Sequence, residues 1–123
     1  MPILSVLVNQ NPAPEQRTRL FESATQAVVD SLGSPVANVR VSLETIAPED
    51  GMIAGVQGEP MALVKAYLLP GRTEEQREAL IGALSAAVES SLGVSGNGTR
   101  IIIHDIPLTN LGMGGISAKK AGR

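Results

Sequence analysis

Cysteine is absent from this 123-residue sequence. Disulfides, thiol nucleophiles and thiolate metal sites are thereby excluded. Histidine occurs once, as His104, so a histidine-rich zinc site cannot be assembled within one chain. Aromatic residues make up 2%: Phe21 and Tyr67, with no tryptophan. That is too few for the stacking platforms that hold single-stranded nucleic acid. There is no excess of positive charge, and a net charge of -2 leaves no electrostatic footprint for DNA or RNA. No apolar run approaches the ~20 residues of a membrane span. The start of the chain lacks the basic segment of a secretory signal. The expected compartment is therefore the cytoplasm, with no nucleic-acid or membrane partner. What is there is an ordinary globular composition, 43% hydrophobic and 18% charged, at the length of one domain.

The chain repeats itself. Sliding it by 60 residues aligns 2–56 on 62–116 without a gap, and twelve pairs are identical. They are Glu15/Glu75, Gln16/Gln76, Arg17/Arg77, Leu20/Leu80, Ala27/Ala87, Val28/Val88, Ser31/Ser91, Leu32/Leu92, Gly33/Gly93, Arg40/Arg100, Ile46/Ile106 and Gly55/Gly115. Most lie on helix faces and at caps, the positions a shared fold keeps, so the pattern reads as tandem duplication with divergence. The expected plan for 1–123 is one domain of two repeats. Residues 2–56 form the first unit, 57–61 the linker, 62–116 the second unit and 117–123 a basic tail expected to fray.

Each unit reads as strand, helix, strand. Ile3 to Val8 and Leu63 to Leu69 are short apolar runs bounded by turn signals, Gln10-Asn11-Pro12 and Pro70-Gly71. Thr73-Glu74-Glu75-Gln76 is a capping box that starts the second helix, and Pro14 sits at the matching first helical position. Leu20, Ala24, Ala27, Val28 and Leu32 recur at helical spacing, as do Leu80, Leu84, Ala87, Val88 and Leu92. Gly33 and Gly93 close the helices. Val39 to Ile46 and Arg100 to Ile106 follow as second strands. The expected fold class is α+β: two tandem β-α-β units forming a four-stranded sheet with two helices on one face. The other face is expected to be apolar, with Ile102 and Ile106 on it, and to be covered by oligomerisation. Met52-Ile53-Ala54-Gly55-Val56 and Gly112-Met113-Gly114-Gly115-Ile116 read as short hairpins available to a neighbouring copy.

Strand-helix-strand units of this length, opening on Met1-Pro2, resemble the tautomerase superfamily, and most of all 4-oxalocrotonate tautomerase. Leu69-Pro70-Gly71-Arg72-Thr73-Glu74-Glu75-Gln76 resembles that family's strand end, Gly-Arg turn and helix start. Val39-Arg40-Val41 and Thr99-Arg100-Ile101 resemble its Val-Arg-Val strand, and Gly112-Met113-Gly114-Gly115 its glycine hairpin. The likeness covers nearly the whole chain. It implies a fused two-unit member and a homotrimer.

Pro2 is the sharpest candidate. Once Met1 is removed, its nitrogen is a secondary amine, and an α-amino group has a reference pKa of about 7.7–8.0. Burial and nearby arginines disfavour the ammonium form, so the amine suits proton abstraction beside a carbonyl near neutral pH. The resemblance implies the same role. It also implies that Arg72 grips a substrate carboxylate, and that Arg40 or Arg100 polarises the substrate carbonyl and stabilises the enolate. Residues alone do not choose between Arg40 and Arg100. Position 62, opposite Pro2 in the alignment, is an internal alanine, and position 12, opposite Arg72, is proline. Both losses fall on one pseudo-site, as expected for one working site per chain.

The chain departs from the family pattern in places. Gly51 and Leu111 stand where an aromatic wall is common. Ile53 and Met113 stand where related dehalogenases carry a water-activating glutamate, and Asn38 and Gly98 supply no carboxylate where the decarboxylase branch has one. His104 aligns with Glu44 and reads as structural; Glu44, Glu49 and Asp105 read as surface charges. The expected activity is a cofactor-independent isomerase, needing no metal, that moves a proton within a small unsaturated 2-hydroxy or 2-oxo carboxylic acid. The alternatives are a hydratase or dehalogenase of the same superfamily, or a non-catalytic trimer.

Overall fold

The computed structural model describes residues 2–123. The expected removal of Met1 lies outside the described residues. Strand β1 (Ile3–Val8) leads through helix α1 (Pro14–Leu32) to β2 (Arg40–Thr45), followed by a hairpin of β3 (Met52–Ile53) and β4 (Val56–Gln57). The second half repeats this with β5 (Ala62–Leu68), α2 (Glu74–Leu92), β6 (Thr99–Asp105) and a hairpin of β7 (Gly112–Met113) and β8 (Ile116–Ser117).

The four long strands form one sheet in the order β2-β1-β5-β6. Each half contributes a parallel pair, as a strand-helix-strand crossover requires, and the halves meet where β1 runs antiparallel to β5. That antiparallel seam brings the start of β1 beside the end of β5: Ile3 faces Tyr67 and Val8 faces Ala62. The ends of this sheet therefore mix residues from both halves, which decides where the candidate site residues meet.

Period-two alternation gives the sheet its two faces. Leu4, Val6 and Val8 of β1 and Val64, Ala66 and Leu68 of β5 are buried against Leu20, Ala24 and Val28 of α1 and Leu80, Leu84 and Val88 of α2, in one hydrophobic cluster that spans both halves. Helix α2 starts on the expected capping box: the Gln76 N–H donates to Thr73 Oγ1 at 3.1 Å, and the Thr73 N–H to Gln76 Oε1 at 2.9 Å. Both helices end on a left-handed glycine, Gly33 and Gly93.

The opposite face carries three cross-strand rows: Arg40, Ile3, Tyr67 and His104; Ser42, Ser5, Lys65 and Ile102; and Glu44, Leu7, Leu63 and Arg100. Alternation brings Arg100 and His104 to the same face as Ile102, so the apolar face expected from Ile102 and Ile106 is mixed instead. Ile106 lies beyond β6, where its N–H donates to the Leu68 carbonyl at 2.7 Å. His104 stacks on Tyr67, ring centroids 5.1 Å apart.

The tail does not fray. Ala118 is buried, its N–H donating to the Leu111 carbonyl at 2.8 Å, and the Arg123 N–H returns to the Ala118 carbonyl at 3.0 Å. Burying one small apolar side chain and closing these turns is what orders it. Residue 58 does the equivalent in the first half, with its N–H on the Gly51 carbonyl at 2.9 Å.

Asn9 fastens the linker. It is fully buried; its Nδ2 donates to the Glu59 carbonyl at 2.8 Å, and its Oδ1 accepts from the Met61 N–H at 2.8 Å. Gly51 packs against it, and a Cβ there would meet Met61 Sδ at 2.7 Å and Asn9 Nδ2 at 2.9 Å. Leu69 takes the place of Asn9 in the second half, where no linker has to be held. Asn9→Leu removes the partner of the Pro48 and Glu59 carbonyls and of the Met61 N–H, half-buried groups whose lost hydrogen bonds are worth about 1 kcal/mol each. The expected result is a melting temperature lower by about 5–15 °C, read by calorimetry.

Candidate active site

Pro2 is buried at the start of β1. Its carbonyl accepts the Arg40 N–H at 3.1 Å, extending the β1–β2 ladder by one bond. Strand pairing thus makes Pro2 and Arg40 immediate neighbours. A cavity of about 320 Å³ opens beside them, lined by Ile3, Arg40, Leu111, Gly112, Met113 and Gly114. Its two walls come from different halves: the sheet end from the first, the β7 hairpin from the second. Among the described residues, the Arg40 guanidinium has no hydrogen-bond partner within the chain, so its donors remain available.

Arg72 reaches the same end of the sheet, because the turn after β5 lies beside the start of β1. The Arg77 side chain supports this turn, with Nε donating to the Arg72 carbonyl at 3.4 Å and Nη2 paired with Asp105 at 2.8 Å. Arg17 does the same in the first half, with Nε on the Pro12 carbonyl at 3.0 Å. The reading of the sequence gave Arg17 and Arg77 no task; their identity in the repeat was the available signal. The half-buried Arg72 guanidinium is itself engaged. Nη1 donates to the Leu32 carbonyl at 2.9 Å and Nη2 to Ser34 Oγ at 3.3 Å. Arg72 thus supplies the cation that the last turn of α1 otherwise lacks, where unpaired carbonyls favour positive charge. Each of its terminal nitrogens keeps a further hydrogen for another acceptor.

Arg100 lies at the opposite end, opposite Leu63 in the β5–β6 register. There a second cavity of about 200 Å³ is lined by Met52, Ile53, Met61, Ala62, Leu63 and Arg100. By the 60-residue offset, Leu63 stands for Ile3, Arg100 for Arg40, Met52 for Gly112 and Ile53 for Met113. The two cavities are one arrangement built twice, and each half's hairpin covers the other half's strands. The structure therefore brings Pro2 and Arg40 together and sets Arg100 apart; Arg72, in the turn at the same sheet end, lines a separate groove with Gly71, Leu108 and Arg123. No helix among the described residues is long and apolar enough to cross a membrane.

Known proteins resemble this chain in sequence and fold. The family model described as Tautomerase enzyme matches residues 63–121, the half that keeps the turn arginine and the glycine hairpin. A 2-hydroxymuconate tautomerase of Comamonas testosteroni is 40% identical over 63 residues, which is 51% of this chain and 100% of the relative. A probable tautomerase of Ralstonia nicotianae is 36% identical over 61 residues, 50% of this chain and 87% of the relative. Among solved structures, a symmetric trimer of a fused 4-OT superposes with a TM-score of 0.93 at 43% identity, covering 98% of this chain and 99% of its own. A protein captured after inactivation by 2-oxo-3-pentynoate superposes with a TM-score of 0.94 at 37% identity, with the same coverage. The chain belongs to the tautomerase family, as a fused, two-repeat isomerase of the 4-OT kind.

Proposed function

We propose that the chain, with Pro2 at its N-terminus, moves a proton within a small unsaturated 2-hydroxy or 2-oxo acid without a cofactor. The observation that carries this reading is the buried Pro2 held by a backbone bond beside Arg40, whose side chain lines a cavity together with Ile3 and the β7 hairpin. The neutral Pro2 nitrogen takes the proton of the enol hydroxyl, and the ammonium so formed returns a proton to carbon, completing the ketone. Charge develops on the substrate oxygen as the hydroxyl proton leaves. The Arg40 guanidinium stabilises that charge. Arg72 holds the substrate carboxylate through the hydrogens it does not spend on α1. Met113, lining the cavity, is not a carboxylate and activates no water, which favours isomerisation over hydration or dehalogenation.

The exposed side chains of Val56, Ile102 and Ile116 are covered in a homotrimer of the kind formed by the fused 4-OT neighbours. Such a trimer has six strand-helix-strand units and one competent Pro2 site per chain, and we place it in the cytoplasm. Ketonisation of 2-hydroxymuconate, followed by ultraviolet absorbance, tests the activity. Acceleration well above the buffer rate is expected, and an unchanged rate overturns the reading. Light scattering at micromolar concentration should give three chains per particle; a monomer overturns the assembly.

A further inference from the structure

The cavity at the Ala62 end has no place in this chemistry. The Ala62 nitrogen sits in a peptide bond and cannot act as a base, yet the cavity around it is built. Its volume of about 200 Å³ equals that of about seven water molecules in the liquid, enough for a small organic acid. Met52, Ile53, Met61 and Leu63 line it with apolar side chains. Met52 stands where the Pro2 cavity has Gly112, so this cavity is the narrower and the more apolar of the two. Its methionines are unbranched and adapt to irregular ligands.

One cation faces this apolar lining. Arg100 Nη1 donates to the carbonyls of Asn97 and Thr99, each at 3.1 Å. Those two bonds hold the guanidinium in place. The Nη2 and Nε hydrogens have no partner among the described residues, and together they form the planar fork that matches a carboxylate. A second carboxylate finds no such partner. Pro12 occupies the position equivalent to Arg72, and Glu59 borders the adjoining groove, where it repels another negative charge.

We propose that the Ala62 cavity binds a small aliphatic monocarboxylic acid without turning it over. The carboxylate lies on Arg100 and the hydrocarbon chain lies among Met52, Ile53, Met61 and Leu63. The full-length protein, first labelled at Pro2 with 2-oxo-3-pentynoate, provides the test. Methionine methyl NMR separates the two cavities, since Met52 and Met61 line one and Met113 the other. Titration with crotonate should shift Met52 and Met61, leave Met113 in place, and saturate at one molecule per chain. Arg100→Gln should weaken this binding at least tenfold, Arg100→Lys should recover part of it, and succinate should bind at least tenfold more weakly than crotonate. Melting temperatures of the variants verify that they fold. Absence of shifts at Met52 and Met61 at millimolar crotonate, or an affinity indifferent to Arg100→Gln, overturns the proposal. Failure of the reagent to label Pro2 counts against the Pro2 base instead, and leaves the Met52 and Met61 signals readable.

Discussion

Pro2→Ala is expected to lower kcat/KM for the enol acid by about a hundredfold, with trimer and melting temperature nearly unchanged. A positioned general base contributes about 10²–10⁴ in rate. Alanine at the N-terminus keeps a primary amine, so its loss falls at the low end of that range. Acylating the amine removes the base altogether and should give the full loss. The pH dependence carries the same information. The amine works in its neutral form, so kcat/KM falls as the pH drops through its pKa. A Pro2→Ala protein with full activity, or an acid limb that does not move on exchanging secondary for primary amine, would falsify the base assignment.

Arg72→Ala is expected to damage both activity and stability. A hydrogen bond to a charged group is worth about 1.5–3 kcal/mol. Losing that grip on the substrate carboxylate should reduce kcat/KM at least tenfold, because about 1.4 kcal/mol is a decade. The same guanidinium closes the C-terminus of α1 through Leu32 and Ser34, so the melting temperature should also fall by a few degrees. Two controls separate the effects. Arg72→Lys keeps a cation at the helix end but loses the planar fork, so stability should recover further than kcat/KM. Ser34→Ala removes one anchor of the guanidinium and leaves its charge. Unchanged kcat/KM in Arg72→Ala rules out a role for this residue in substrate binding.

Most of the fold was legible because the repeat exposed it. Identical residues at Leu20/Leu80, Val28/Val88 and Gly33/Gly93 mark helix faces and ends, and helices of this type are specified locally. Strand order is different in kind. The antiparallel β1–β5 seam is a long-range choice: it sends Arg100 to the far end of the sheet, while the parallel β1–β2 pair keeps Arg40 beside Pro2. In the sequence the two arginines are equivalent. The hairpin exchange was hidden for the same reason: nothing within residues 112–116 says which half they cover. Asn9 carries no motif of its own, although its alignment with Leu69 marks a polar side chain at a position otherwise apolar. The tail was misjudged from its lysines, because a single buried alanine and a few backbone bonds hold it in place.

The exchange of hairpins, together with the Asn9-held linker, bears on how such a chain can change. In an assembly of identical short chains, every substitution appears at every site, so a change that spoils catalysis spoils all of them together. Here each half supplies the sheet wall of one cavity and the hairpin wall of the other. Met52 and Ile53 can diverge without touching the lining of the Pro2 cavity, while Gly112 and Met113 remain bound to it. Fusion therefore allows the lining of one cavity to change while that of the other is kept, because each cavity has its own hairpin residues.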